Sequence, residues 1–521
     1  MTQFGHKGGA RGMFKAAETG ATLPDGAFRE VKDHLRFELV NLQQRARAAG
    51  FPIVIVISGV QGAGAIDTLN LLNTWMDPRW IHTHAADTPS DEERERPAFW
   101  RWWRRLPAAG NIALYLDGWY ADAVSAHCRK QCTAAAFSAH LARITSFEET
   151  LAAEGALIVK FWLHLSKKQH GRHANKHRAD AIFGFRASDD SWPQPAAYDA
   201  YVASAGRMLR TTSTGTAPWH VVAGADDNYR RATVLTILRD TVKAHIKARQ
   251  KKTKQAAQDH KRALKRAANY KKKKVKASAR GALAKVDLSQ TITPAAYARV
   301  FRKLQDKLYD LQKAARAAGL STIIAFEGWD AAGKGGALRR LTYAMSARNY
   351  AVIPIAAPND EERAHHYLWR FWRHLGRAGH ITIFDRTWYG RVLVERVEHL
   401  ITEATWTRAY DEINAFEAQL TEGNNLVLKF WLHIDPEEQL RRFEEREEMP
   451  YKRWKITADD WRNRANWNAY EAAANDMIKH TSTRVAPWHL IAANDKRFAR
   501  ITILKTVIAS LERALRARTA S

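Results

Sequence analysis

Cysteine is nearly absent: Cys128 and Cys132, in the run CRKQC, are the only two in 521 residues. A disulfide framework is therefore excluded, and a reducing compartment, the cytoplasm, is expected. Their i, i+4 spacing, with His127 and His140 nearby, suits a metal less well than two small residues on one helix face. Long apolar runs are missing too. The longest, Phe51–Val60, is about half of the ~20 residues a spanning helix needs, so no membrane is expected. The opening residues, MTQFGHKGGARG, hold neither an apolar stretch nor a cleavage site, and secretion is not expected. Acids are scarce relative to bases: 54 Asp and Glu stand against 82 Lys and Arg, a formal net charge of +28. Such an excess calls for a polyanionic partner, be it nucleic acid, an anionic membrane or a phosphate-rich substrate. Apolar residues, at 46%, are plentiful. The chain folds, and it is long enough for two or more domains.

The excess charge is concentrated. Residues 243–280 carry 16 Lys or Arg against one acid, Asp259, for a net +15, leaving +5 for 1–242 and +8 for 281–521. The Ala, Lys and Arg of this stretch favour a solvated helix. Like-charge repulsion, strongest at Lys271–Lys274, favours an open linker. A plain spacer and an electrostatic handle for a polyanion are both consistent with the composition.

An internal repeat divides the chain. At a constant offset of 269, Asp91-Glu92-Glu93-Arg94 matches Asp360-Glu361-Glu362-Arg363. Trp100, Trp103, Trp119 and Tyr120 match Trp369, Trp372, Trp388 and Tyr389. Lys160-Phe161-Trp162-Leu163-His164 matches Lys429-Phe430-Trp431-Leu432-His433, and Pro218-Trp219-His220 matches Pro487-Trp488-His489. Chance does not place so many tryptophans at one offset. The expected organisation is a flexible N-terminus (1–27), a first copy (28–242), a basic linker (243–295) and a second copy (296–521).

Each copy alternates strand and helix signals. In the second, Ser321–Phe326, Val352–Ile355, His380–Asp385, Leu426–Ile434 and Trp488–Ile491 read as about five buried parallel strands. Helices are expected from the loop after Phe326 to about Ala347, over Glu361–Arg377 and over Asp495–Ala514. The fold class is α/β: tandem three-layer domains with mainly parallel five-stranded sheets. The Trp-rich stripes AFWRWWRRL and YLWRFWRHL stand in both copies, which favours packing over base stacking.

Chemistry is concentrated in the second copy. GWDAAGKGG, Gly328–Gly336, has the G-x-x-x-x-G-K spacing of a phosphate-binding loop between strand and helix. Its Gly328, Gly333, Gly335 and Gly336 let backbone N–H groups surround phosphate oxygens, and Lys334 adds a full charge. Gly335 stands where a metal-binding Ser or Thr is usual, so Asp330 is the candidate replacement oxygen ligand. In IFDRTWYGRVLVER, Asp385 ends a strand, where a Walker B carboxylate would hold Mg²⁺. Both motifs face one crevice at the carboxyl ends of the strands. Arg386 and Arg391 can neutralise a transferring phosphoryl group. Glu395, a turn beyond Arg391, orients it or a metal-bound water, or else forms a surface ion pair. RRFEEREEMPYKRWK, Arg441–Lys455, has the composition of a lid expected near 436–460, with Arg446, Lys452 and Lys455 as the cations that close over phosphates.

These residues resemble the polyphosphate kinase 2 family, whose members carry a G-x-D-A-A-G-K-G-G loop, an F-D-R-[ST]-W-Y segment and an Arg/Lys-rich lid. The resemblance covers about 300–515 well and the first copy weakly, and is strongest to fused two-domain members. It implies a thymidylate-kinase-like P-loop fold and transfer of a terminal phosphoryl group between inorganic polyphosphate and a nucleotide, AMP to ADP in the fused type. Mg²⁺ is the implied cofactor, Mn²⁺ its substitute. Asp330, Lys334, Asp385 and Arg386 match essential motif positions; Arg391 and Glu395 match less invariant ones.

The first copy departs where chemistry should be. Lys334, Asp330, Asp385, Arg386, Arg391 and Glu395 correspond to Ala65, Gln61, Leu116, Asp117, Asp122 and Ala126. In the lid, Arg446 and Lys452 correspond to His177 and Phe183. The first copy is expected to be catalytically silent and to serve as an internal pseudo-dimer partner; homo-oligomers are an open further level. Three other functions compete: a polyphosphate-dependent ADP or GDP kinase, an ATP-dependent nucleoside monophosphate kinase, and a nucleic-acid-binding P-loop protein using the basic linker.

Overall fold

Apolar, β-branched runs form the interior, and a computed structural model of the chain shows how they are arranged. It describes residues 10–85, 88–178, 197–270, 281–422, 425–448 and 456–519. These group into two compact units, one comprising 1–88, 102–271 and 360–366, the other 89–101, 272–359 and 367–521.

The first unit contains strands β1 (Ile53–Gly59), β2 (Ile81–Ala85), β3 (Ile112–Leu116), β4 (Leu157–His164) and β5 (Trp219–Ala223), in the order β2-β3-β1-β4-β5. The second contains β6 (Ser321–Gly328), β7 (Tyr350–Pro354), β8 (Ile381–Asp385), β9 (Asn425–His433) and β10 (Trp488–Ala492), in the order β7-β8-β6-β9-β10. Every pairing is parallel. The sequence offset recurs in the hydrogen-bond register. Ile53 faces Ile112 and Leu157, while Thr322 faces Ile381 and Leu426, each 269 residues on. All of β1 is buried. That explains its unbroken apolar run, since a central parallel strand is covered on both faces.

Several elements differ from their sequence signals. The helix after the glycine-rich loop stops at Tyr343, not near Ala347. The stretch 361–377 is not one helix but two short ones, Asp360–Arg363 and Trp369–Trp372. Its His, Tyr, Trp and Phe are indifferent helix formers, and Leu368, Trp369, Phe371 and Trp372 are all buried, so core packing overrides a continuous helix. The last helix spans Lys496–Thr519, with Asp495 accepting from the amides of Arg497 and Phe498 at 2.6 and 3.1 Å. The helix entering the basic stretch runs unbroken from Asp227 to Tyr270. Cys128 ends the helix Ala121–Cys128, and Lys130 turns left-handed (φ 57°), so Cys128 and Cys132 do not share a helix face. Both thiols are free. Trp100, Trp103, Trp369 and Trp372 are core residues. No described helix is long and apolar enough to cross a membrane.

A buried polar network occurs in both units. In the second, Lys429 Nζ donates to Glu417 Oε2 (2.8 Å), the Tyr389 hydroxyl (2.9 Å) and the Thr481 carbonyl (2.6 Å). Trp388 Nε1 and the Tyr389 hydroxyl both donate to Glu417 Oε1, at 3.0 and 2.7 Å. In the first, Lys160 Nζ reaches Glu148 Oε2 (2.6 Å), the Tyr120 hydroxyl (3.0 Å) and the Thr212 carbonyl (2.7 Å). Trp119 and Tyr120 donate to Glu148 in the same way. The network fixes the Trp-Tyr segment that follows β3 or β8 against β4 or β9. Burial drives the Lys429 ammonium below and the Glu417 carboxyl above their ordinary values, each offset by the other's charge.

Candidate phosphate-binding site

The site is built at the carboxyl end of β6, the central strand. Gly328 ends it with φ 141°, and a Cβ there would lie 2.5 Å from the Leu432 carbonyl oxygen. Only glycine fits that approach. Residues 329–333 form the loop, with Ala331 and Gly333 left-handed (φ 62° and 105°), and the helix Lys334–Tyr343 follows. The Ala332 amide donates to the Trp329 carbonyl (3.1 Å) and the Gly336 amide to the Gly333 carbonyl (3.0 Å). Lys334 folds over the loop, donating to the carbonyls of Gly328 (2.6 Å) and Trp329 (3.1 Å). Burial lowers its affinity for the proton, and the nearby charge of Asp330 works in the opposite direction.

Asp330 and Arg386 meet across the crevice, with Nη2 at 3.2 Å from Oδ1. Asp385 ends β8 level with Phe326 of β6, and its charge and that of Asp330 both act on Lys334 and Arg386. Two carboxylates and two cations are thus gathered around one loop. Arg391 and Glu395 pair with each other at 3.0 Å, the guanidinium lying 4.6 Å from the Tyr367 ring centroid. Gly335 is exposed at the start of the helix. Arg446 is part-buried on the helix Pro436–Glu448. Lys452 and Lys455 lie outside the described residues.

Four participants were not among the candidates read from the sequence. Arg442, almost wholly buried, donates to the Ala331 carbonyl (2.9 Å) and to those of Ala493 (2.7 Å) and Asn494 (2.8 Å), bracing the loop from behind. Asn463, on the helix Ala458–Ala465, donates to Asp330 Oδ2 (2.8 Å), so Asp330 is held on both oxygens. Trp329 stacks on Trp467 with centroids 3.6 Å apart, and its Nε1 donates to His433 Nδ1 at 3.0 Å. Burial pushes that imidazole down to about 4, in keeping with a ring nitrogen that accepts. Glu327, buried at the end of β6, accepts from the amide and the hydroxyl of Thr387, both at 2.8 Å. Two of these lay within segments the sequence singled out, Trp329 in the glycine-rich loop and Arg442 in the Arg-rich stretch Arg441–Lys455; Asn463 and Glu327 lay outside both.

The family model described as polyphosphate kinase 2 matches residues 24–252 and again 291–519. The chain belongs to the polyphosphate kinase 2 family. A Pseudomonas aeruginosa protein named polyphosphate:AMP phosphotransferase is 43% identical over 503 residues, covering 96% of this chain and 99% of that one. A protein of the same name from Acinetobacter johnsonii is 35% identical, over 92% and 94% of the two chains. A crystal structure of a polyphosphate kinase 2 from Pseudomonas aeruginosa superposes with a TM-score of 0.85 at 42% identity, over 97% of this chain and 99% of that one. This family member thus carries two copies of the polyphosphate kinase 2 domain, each with one five-stranded sheet.

The first copy's crevice has a different chemistry. Its loop keeps left-handed Gly62 and Gly64, and Asp117 repeats the left-handed turn of Arg386 (φ 62° against 63°). Asp117 is buried, which pushes its carboxyl from 3.8 up to about 8, with the Ser58 hydroxyl pulling the other way. A folded-state value above the unfolded one means that the folded protein holds this proton more tightly. The associated stability is complete below about pH 4 and lost as pH rises through about 8. Asp117→Asn should therefore match the wild type in acid and become progressively more stable than it toward pH 8. Denaturation midpoints across that range test this, and a pH-independent difference would contradict it.

Proposed function

We propose that this chain transfers the terminal phosphoryl group of inorganic polyphosphate to AMP, in the second copy alone. The first copy is proposed to be catalytically silent. An oxygen of the AMP phosphate attacks the terminal phosphorus. The bond from that phosphorus to the bridging oxygen breaks, leaving ADP and a polymer one phosphate shorter. The observation that carries this reading is the joint one: full-length likeness to relatives of that name, with Asp330, Lys334, Asp385 and Arg386 gathered in one copy and replaced in the other.

The residues have separable tasks. The loop amides and the helix start at Lys334 receive phosphate oxygens. Lys334 exchanges its two carbonyl partners for phosphate and, with Arg386, neutralises charge on the group in flight. Arg442 and Asn463 keep the loop and Asp330 in place. Asp330 and Asp385 form a hard, all-oxygen donor pair that suits Mg²⁺, or Mn²⁺ in its stead. Such an ion would supply positive charge to the phosphates held there. Positioning and electrostatics carry the reaction, with no covalent intermediate on the protein. A reducing, cytoplasmic setting is part of the proposal, on the scarcity of cysteine in the sequence.

The test incubates the protein with Mg²⁺ and polyphosphate and, separately, AMP, ADP, GMP or GDP, then identifies the products. ADP from AMP is expected. Triphosphates alone would move the acceptor to the diphosphates. Transfer from ATP alone, or no phosphorylated product, would reject the reading.

A further inference from the structure

The duplication supplies an internal control for separating groups that build the fold from groups that serve the site. The Glu417–Lys429 network persists in the first copy as Glu148–Lys160, though that copy has lost the site's charges. It therefore belongs to the fold. Glu327 behaves in the opposite way. Its counterpart is Ser58, and Gly118 replaces its partner Thr387, so both were lost together with Lys334, Asp330, Asp385 and Arg386.

The turn itself does not need the carboxylate. Asp117 reaches the same left-handed backbone as Arg386 with Ser58 and Gly118 beside it, its amide donating to the Ile57 carbonyl at 2.9 Å as that of Arg386 donates to Phe326 at 3.1 Å. Burying a carboxylate is costly unless it is paired and hydrogen-bonded. In the second copy Glu327 has both kinds of partner: two donors from Thr387 converge on Oε1, and, although burial pushes its carboxyl up, the charges of Lys334 and Arg386 work in the opposite direction. Thr387 Oγ1 in turn accepts from the Tyr389 amide at 3.2 Å, capping the turn Trp388–Arg391.

We infer that Glu327 is a positioning residue of the phosphate site: its buried carboxylate fixes Thr387 beside Arg386 and is the standing counter-charge that restrains Lys334 and Arg386. Restrained cations bind a resting polyanion less tightly, which leaves more of their attraction to be expressed in the transition state. The inference rests on the proposed transfer reaction, and the experiment below separates failure of the two.

Glu327→Gln keeps an oxygen for both Thr387 donors and removes only the charge. The double variant Glu327→Ser/Thr387→Gly reproduces the pair with which the first copy folds. For wild type and both variants, kcat, KM for AMP, the Kd of inorganic tripolyphosphate by calorimetry and the thermal midpoint are measured. The expected result for Glu327→Gln is a kcat lower by about 10- to 100-fold, a KM for AMP within about twofold, and tripolyphosphate binding tighter by about three- to tenfold. Simple structural damage would weaken binding along with turnover. An unchanged kcat, or a lower kcat with weaker tripolyphosphate binding, overturns the inference. If the midpoint of Glu327→Gln falls, the double variant is judged by the same criteria. If wild type phosphorylates another nucleotide instead of AMP, kcat is compared on that acceptor. If it phosphorylates none, the functional reading falls and the Kd alone judges Glu327: tighter supports the inference, equal or weaker overturns it.

Discussion

Lys334→Ala lowers ADP formation from polyphosphate and AMP by about 10³-fold or more, the scale on which a single cation at a transferring phosphoryl group acts. The ammonium rests on the Gly328 and Trp329 carbonyls at 2.6 and 3.1 Å, so it is already aimed along the loop. Its removal leaves Arg386, among the described residues, as the cation paired with Asp330. The fold should survive, because the corresponding loop of the first copy forms with Ala65 in this place and again leads into a helix. Changes at Gln61 or Ala65 should leave the rate as it is, since no phosphate-binding charge remains there to lose. Initial rates of ADP formation, with circular dichroism as the check on folding, measure both arms. Full activity in Lys334→Ala would place the reaction elsewhere.

The second large effect is on stability. Lys429→Met strips Glu417 of its counter-ion while leaving that carboxylate wholly buried with Trp388 and Tyr389 as donors, and leaves the Thr481 carbonyl without the Lys429 donor. Breaking a buried pair on one side costs about 3–5 kcal/mol, which for a domain of this size is on the order of 10 °C in the unfolding midpoint. Lys160→Met should do the same to the first unit through Glu148. Adding Glu417→Gln to Lys429→Met should recover part of the loss, because the stranded charge is then removed. Thermal melts followed by circular dichroism report this, and a melt of Lys429→Met unshifted from the wild type would show that the pair contributes nothing net.

The sequence made the architecture legible because its strongest signals were periodic and repeated. The offset of 269 that aligned the tryptophans also governs which residues face each other in the sheets. The apolar runs became strands because central parallel strands are covered on both faces, as β1 is. Helix ends were read less well. The run around Trp369 joins helix-like spacing to aromatic residues that the core claims on several sides, and packing decided the outcome. Asp330, Lys334, Asp385 and Arg386 stood out because loop chemistry needs those residue types at those spacings. Glu327 did not, because a single acid at the end of an apolar strand has no spacing to give it meaning. Its partner Thr387 is 60 residues away. Arg442 was one of several arginines in the charged stretch Arg441–Lys455, and Asn463 touches Asp330 from 133 residues along the chain. Contacts across such separations are fixed by tertiary structure. A signal could nevertheless have been taken from the repeat itself: Glu417 and Lys429 persist between copies, whereas Glu327 and Thr387 vanish with the site.

One working site per chain is the central claim, and counting sites tests it most directly. Equilibrium titration of the full-length protein with AMP in the presence of Mg²⁺ should saturate at one nucleotide per chain, and Lys334→Ala should leave no second site exposed. Two equivalent nucleotides bound per chain would contradict the account, because the first copy would then be a functioning partner rather than a silent one.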